Sequence, residues 1–408
     1  MKLRLTANNR QLKSAINITG SKSESNRLLL LRALYPDLEI ANLSNSDDSR
    51  VMSKGVMTDK GTVDIHHAGT AMRFLTAFFA CSPGKEVVLT GSQRMTERPI
   101  SILVDALRQL GADISYVAEE GFPPLKIKGR SLEKNKVVMA ANVSSQYISA
   151  LLLIAPGLEN GLELHLEGKI TSVPYIKMTL ALLNEIGITT SFEGSVINIQ
   201  PKSAVDAKVL TVESDWSSAS YFYSIAALAE SAHIDLSSYK QNSLQGDSVL
   251  QDLYVPMGVN SEFNDHTVVL TSGNISDVQK VVYDLSDAPD IAQTIAVTCF
   301  GLGIGCELTG LHTLKIKETD RLEALKTELG KLGAQIEVTD KSLHLEAGGR
   351  INRDIAIDTY NDHRMAMAFA PLAMKVPIII NDAEVVSKSY PDFWNDMKSI
   401  GFEVETLD

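Results

Sequence analysis

Gly20-Ser21-Lys22-Ser23-Glu24-Ser25-Asn26-Arg27 sets small hydroxyl residues and two cations just ahead of Leu28-Leu29-Leu30-Leu31. Free N–H groups at a helix start attract anions. Full charges on Lys22 and Arg27, with hydroxyl donors from Ser21, Ser23 and Ser25, suit a phosphate or carboxylate. The same residues also suit a serine N-cap with two solvated cations. The pattern recurs at other apolar helix patterns, as Ala68-Gly69-Thr70, Ser144-Ser145-Gln146, Asp290 and Asp362-His363-Arg364. If such ends converge, several helix dipoles point at one place and make a strong anion site.

The elements that position these residues repeat. A helix pattern closed by glycine and followed by a strand pattern occurs at Gly111, Gly187, Gly258, Gly333 and Gly401, with a weaker copy at Gly55. The helix before each glycine is amphipathic, as in the stripe Leu322, Leu325, Leu329, Leu332. Glycine past the last turn suits a left-handed C-cap. A second helix pattern is apolar nearly all round and must be buried. Its copies are residues 21–35, 69–81, 144–155, 217–229, 289–300 and 362–374. The unit reads as buried helix, strand, amphipathic helix, strand, turn, strand. Six such units make two similar α/β lobes, with buried helices inside and sheets around them.

The chain of 408 residues has 38 basic and 50 acidic side chains, a net charge of −12. That balance argues against nucleic acid and anionic membranes as partners. It allows small anionic substrates, provided the cations are gathered locally. Cys81, Cys299 and Cys306 form no CxxC pair, which points to a reducing compartment and no structural zinc. Residues 1–10 lack the apolar core of a secretory signal, and no apolar run reaches membrane length. The expectation is a soluble, cytoplasmic protein.

Several motifs, in order and at matching spacing, resemble the EPSP synthase branch of the enolpyruvyl transferases. They are Gly20–Arg27, Ala68-Gly69-Thr70-Ala71-Met72-Arg73, Glu97-Arg98-Pro99-Ile100, Ser144-Ser145-Gln146, Pro174-Tyr175-Ile176, Lys317-Glu318-Thr319-Asp320-Arg321, Asp362-His363-Arg364-Met365-Ala366-Met367 and Lys388 to Phe393. The resemblance implies two lobes, each an inside-out α/β barrel of three repeated units. One would comprise residues 1–20 and 214–408, the other 21–213, with crossovers near 20 and 213. It implies transfer of the enolpyruvyl group of phosphoenolpyruvate to the 5-hydroxyl of shikimate 3-phosphate, releasing phosphate. No cofactor or metal is implied, no partner beyond the two substrates, and a monomer.

By the same resemblance Lys22, Gly69, Arg98, Gln146, Arg321, Arg364 and Lys388 hold phosphoenolpyruvate. Lys22, Ser23, Arg27, Ser144, Ser145, Gln146, Ser172, Asp290 and Lys317 hold shikimate 3-phosphate. Asp290 serves the attacking hydroxyl, Glu318 moves a proton at the methylene carbon, and Lys22 assists phosphate departure. Arginine can clamp carboxylate or phosphate through two bonds. An unsubstituted Gly69 lets a ligand approach the backbone and leaves room for glyphosate, the family's inhibitor. Taken singly, Arg98 or Arg321 reads as a solvated helix-face cation, and Glu318 as an acid near a helix start. Arg364, inside an apolar helix, needs a partner. His66, His67 and Thr313 depart from the family pattern.

Two other functions fit these residues less well. A UDP-N-acetylglucosamine enolpyruvyl transferase often carries a reactive cysteine in a mobile loop, and residues 111–124 contain none. A non-catalytic phosphometabolite-binding relative predicts loss of Asp290 or Glu318, and both are present.

Overall fold

A computed structural model describes residues 1–141, 144–168, 170, 173–273 and 278–407. The chain forms two compact units. Unit 1 is Met1–Thr19 with Glu213–Asp408, and unit 2 is Gly20–Val212. Each has its own apolar core.

The apolar helix patterns become the buried helices. In unit 2 they are α1 (Lys22–Leu34), α2 (Gly69–Ala80) and α3 (Ser145–Ile154). In unit 1 they are α4 (Trp216–Leu228), α5 (Ala292–Leu302) and α6 (His363–Phe369). Every residue of α2 and α6 is buried. In α3 the exception is Gln146, and in α4 it is Ser217. Both lie in a first turn, so burial covers the helix bodies and spares polar positions at their starts. The patterns at 289–300 and 362–374 are not single helices. A 3-10 turn, Pro289–Ile291, leads into α5, and another, Ala370–Met374, follows α6. Pro371 has no N–H for the α-helical ladder and its ring crowds the preceding turn.

Each parallel strand pair brackets a buried helix, as 60–64 and 86–90 bracket α2. The strand after the helix then pairs antiparallel with a later hairpin, here 125–128 with 113–116. Four of the five four-stranded sheets have this plan, and in the fifth the strand after α6, 378–380, pairs antiparallel with the N-terminal strand 2–7, which pairs with 402–407. The sixth copy departs from it. Strand 38–41 pairs only with 208–211, in a two-stranded sheet among the described residues. Helix Asp47–Val56 leads directly into the next copy's strand Lys60–Asp64, leaving no room for a hairpin. The strand before α1, Gln11–Ile16, pairs with 231–237 inside unit 1.

The amphipathic helices close as the glycine spacing predicts at Ser101–Leu110 and Arg321–Leu332. Gly111 and Gly333 cap them at φ 103°, a backbone that a Cβ would strain. Gly55 does not cap. It lies inside Asp47–Val56, where an added Cβ would meet Leu75 Cδ1 of α2 at 2.4 Å. This glycine lets two helices approach closely. Among the described residues no helix is long and apolar enough to cross a membrane.

A test of that packing follows from a sign. In an exposed helix Gly→Ala stabilises by about 1 kcal/mol. Gly55→Ala drives a methyl into fully buried Leu75, so urea unfolding should show a loss of roughly 1–3 kcal/mol. A variant as stable as the parent would show that the close approach is not needed.

Candidate functional site

In unit 1 Asp290, Glu318, Arg321, Asp362 and Arg364, all predicted from sequence, join into one hydrogen-bonded row. Asp362 caps α6, accepting from the Arg364 backbone N–H at 2.9 Å. Its carboxylate also accepts from Arg321 Nε at 2.6 Å. Arg321 opens helix Arg321–Leu332, which Asp320 caps. Its guanidinium donates to Asp290 Oδ1 at 2.9 Å and to Glu318 Oε2 at 2.8 Å. The other oxygen of Asp290 accepts from Arg364 Nη2 at 3.0 Å. The same nitrogen donates to Ser217 Oγ at 3.2 Å, and the Ser217 hydroxyl donates to Asp247. Lys317 Nζ lies 3.5 Å from Asp290 Oδ1.

Arg321 is 2% exposed, so it is not the solvated cation its sequence position suggests when taken alone. Burial works against its charge, but Asp362, Glu318 and Asp290 outweigh that and raise its pKa. Arg364 is likewise held well above its ordinary value. Burial opposes the charge there, while Asp290, Tyr221, Asp247 and Asp215 favour it. At Lys317 the pull of Asp290 is the largest influence and raises the pKa. Burial and the Arg321 charge together overcome it, and the net shift is downward. Lys388 ends the 3-10 turn Ala383–Lys388 and donates to the Asn361 carbonyl at 2.5 Å. Tyr360 and Asn361 hold left-handed backbones at φ 54° and 55° just ahead of Asp362, a strain seen mainly where function demands it.

Unit 2 handles its cations differently. Arg27 is buried in the middle of α1 and donates to neutral acceptors: Ser23 O at 2.7 Å, Thr179 Oγ1 at 2.8 Å and Ser149 Oγ at 2.9 Å. Its guanidinium lies 5.4 Å from the Phe74 ring centroid. Burial pushes its pKa down to about 10, against smaller upward pulls from Tyr175 and Glu24. Lys22 Nζ lies 3.5 Å from Asp48 Oδ2. Gly69 opens α2 with the Arg98 guanidinium over it, and an added Cβ would stand 2.7 Å from Arg98 Nη1. Gln146 donates to Thr70 Oγ1 at 3.1 Å, so it meets the start of α2 beside Gly69. Ser144 caps α3, accepting from the Gln146 N–H at 3.4 Å, and Ser145 is buried. Ser23 is half-buried. Ser172 lies outside the described residues.

Sequence reasoning missed four participants. Arg73, buried in α2, donates to Pro99 O at 3.2 Å, and Tyr147 donates to the same carbonyl at 2.5 Å. Together they tie down the segment that carries Arg98. An arginine inside an otherwise apolar helix was the available signal. Ser217 and Asp247 extend the unit 1 row, and nothing in their sequence surroundings marks them. His67 Nδ1 shares a hydrogen bond with Ser92 Oγ at 3.0 Å. The buried Thr313 Oγ1 makes none among the described residues. Among those residues, too, no group of three or more His, Cys, Asp or Glu is placed to hold a metal ion. The arrangement offers fixed guanidinium and ammonium donors with carboxylates between them, the equipment for binding a polyanion and moving a proton on it.

Asp247 is 4% exposed, and burial, with Asp290 adding to it, pushes its pKa from 3.8 up to about 7; Arg364 and Ser217 pull the other way. Between those two values the folded protein holds a proton that the unfolded chain does not. This group's contribution to stability is therefore complete near pH 4 and is lost as pH rises through 7. Asp247→Asn stays neutral and escapes that loss. Its stability relative to the parent should be higher at pH 8 than at pH 5 by at most roughly 3 kcal/mol. A difference that does not change with pH would contradict the burial argument.

Residues 54–397 match the family model for EPSP synthase (3-phosphoshikimate 1-carboxyvinyltransferase). A 3-phosphoshikimate 1-carboxyvinyltransferase of Bacteroides fragilis (strain YCH46) is 47% identical over 402 residues, which is 97% of either chain. One from Photorhabdus laumondii subsp. laumondii is 37% identical over 419 residues, covering 95% of this chain and 96% of that one. In fold the chain is similar to an EPSP synthase structure from Acinetobacter baumannii, at a TM-score of 0.79 and 21% identity over 99% of this chain and 100% of that one.

Proposed function

The chain belongs to the EPSP synthase (3-phosphoshikimate 1-carboxyvinyltransferase) family, and from that premise we propose how its residues divide the work. The reaction moves the enolpyruvyl group of phosphoenolpyruvate to the 5-hydroxyl of shikimate 3-phosphate and releases phosphate. It is a step of aromatic amino acid biosynthesis.

Arg98, Arg321, Arg364 and Lys388 bind phosphoenolpyruvate in this reading, with Lys22, Gly69 and Gln146. Lys22, Ser23, Arg27, Ser144, Ser145, Gln146, Ser172, Asp290 and Lys317 bind shikimate 3-phosphate. The observation that carries the assignment is the row through Arg321, Asp290 and Arg364, because it holds donors and a carboxylate in fixed relation. Asp290 takes the proton of the attacking hydroxyl. Glu318 delivers a proton to the methylene carbon of phosphoenolpyruvate, giving a tetrahedral adduct. The same carboxyl recovers a proton from the new methyl group as phosphate leaves, the proton held by Asp290 passes to the departing phosphate, and Lys22 offsets the charge on that group. Lys317 and Arg321 favour the charged form of Glu318, and an arriving anion opposes that pull. Action as a cytoplasmic monomer, with the chain crossing between its two domains near residues 20 and 213, completes the proposal.

Three measurements test these roles. Phosphate release from phosphoenolpyruvate should require shikimate 3-phosphate as acceptor and should not be supported by UDP-N-acetylglucosamine. Asp290→Asn and Glu318→Gln should each lower kcat by about 10²–10⁴-fold while the protein still folds. Normal turnover in both would refute the acid–base assignment. Gly69→Ala should raise the KM for phosphoenolpyruvate by about tenfold, the effect of displacing one charge-assisted contact. An unchanged KM would mean that Arg98 does not need the open face of Gly69.

A further inference from the structure

Asp247 belongs to the 3-10 turn Gly246–Val249. One of its oxygens accepts from Ser217, and the other is buried with no hydrogen-bond partner among the described residues. A carboxylate oxygen sealed from water without a donor is costly when charged and cheap when it carries its own proton. The neighbours that act on it are Asp290 from the turn before α5, Arg364 from α6, and Ser217 and Asp215 from the start of α4. Nearby Gln245 is neutral and accepts from the Trp216 N–H.

The charges of the row point the same way. Arg321, Arg364 and Lys317 face the carboxylates of Asp362, Glu318, Asp290 and Asp247. Among these seven groups, all ionised, negative charge exceeds positive by one, and Asp215 adds to the negative side, which is unfavourable for a polyanion. A proton on Asp247 lowers that negative charge by one. It also leaves Arg364 with one fewer carboxylate competing for its charge.

We infer that Asp247 is a positioning residue that takes up a proton from water as a substrate anion settles on Arg364, and that this uptake sets how tightly the anion is held. The inference rests on the assignment of Arg364 to phosphoenolpyruvate above. No covalent step is involved. The proton comes from bulk water, resides on the unpaired oxygen of Asp247 and returns to water when the anion leaves. The Ser217 hydroxyl keeps donating to the other oxygen and so keeps its lone pair toward Arg364 Nη2. Linkage is reciprocal. An anion on Arg364 favours the proton on Asp247, and the proton favours the anion.

The test is the KM for phosphoenolpyruvate and kcat between pH 6 and 9, at saturating shikimate 3-phosphate. Four proteins are compared: the parent, Asp247→Asn, Ser217→Ala and Arg364→Ala. The substrate's own titration is common to all four and cancels in the comparison. In the parent, KM should climb above neutrality, by at most roughly tenfold per pH unit. In Asp247→Asn, which still accepts from Ser217 but cannot ionise, that climb should be absent. Ser217→Ala removes a donor that favours the charged form, so its inflection should move to higher pH. A parental climb in Asp247→Asn overturns the inference, as does a KM raised by one factor at every pH, the mark of a merely structural role. If Asp247→Asn does not fold, an unmoved inflection in Ser217→Ala overturns it. An Arg364→Ala protein with parental KM would instead remove the assignment beneath it. A raised KM in Arg364→Ala beside a parental climb in Asp247→Asn removes this inference alone.

Discussion

The Arg321 guanidinium is almost wholly cut off from water, and the chemistry of unit 1 is arranged around keeping it charged. An unpaired charge at such a depth costs several kcal/mol. Three carboxylates meet that demand, and each is fixed by a second obligation. Asp362 must cap α6, Asp290 must also hold Arg364, and Glu318 sits three residues ahead of Arg321 on the same turn of chain. Moving any one of them would leave Arg321 with one fewer counter-charge. The donors are therefore set in place before a ligand arrives, so little reorganisation is left for the reacting step.

Unit 2 reaches a fixed cation by another route. Arg27 lies among hydroxyls, carbonyls and aromatic rings, and its depressed pKa reflects burial that Tyr175 and Glu24 do not fully offset. Its charge is incompletely compensated, which is the condition in which a cation attracts an anion most strongly. Arg98 is kept usable by geometry. Gly69 leaves it room, while Arg73 and Tyr147 anchor the carbonyl of the next residue.

Much of this could be read from the chain. A helix with no polar face has to be buried, so α1 to α6 were visible in the residues alone, and their polar first turns marked where chemistry would sit. Arg364 could be expected to need a partner because apolar residues follow it directly. Burial of Arg321 could not be foreseen in the same way. Its stripe of leucines looks like any surface helix, and its partners Asp290 and Asp362 lie far off in sequence. Asp247 shows the limit most plainly. A carboxylate in Gln245-Gly246-Asp247 looks like turn chemistry, and its role depends on Ser217 and Arg364, which lie far off in sequence. Gly55 was misread because a glycine near a helix end usually caps it. Here its missing side chain serves Leu75, a partner that local sequence does not reveal.

One substitution separates charge from geometry at the centre of this account. Arg321→Lys keeps the positive charge but loses the planar fork that reaches Asp362, Asp290 and Glu318 together. With folding verified by a cooperative urea transition, kcat/KM for phosphoenolpyruvate should fall by about a hundredfold or more, as for removal of a preorganised donor. A lysine variant with near-parental kcat/KM would show that a buried positive charge is sufficient and that the three-carboxylate arrangement is not what the reaction depends on.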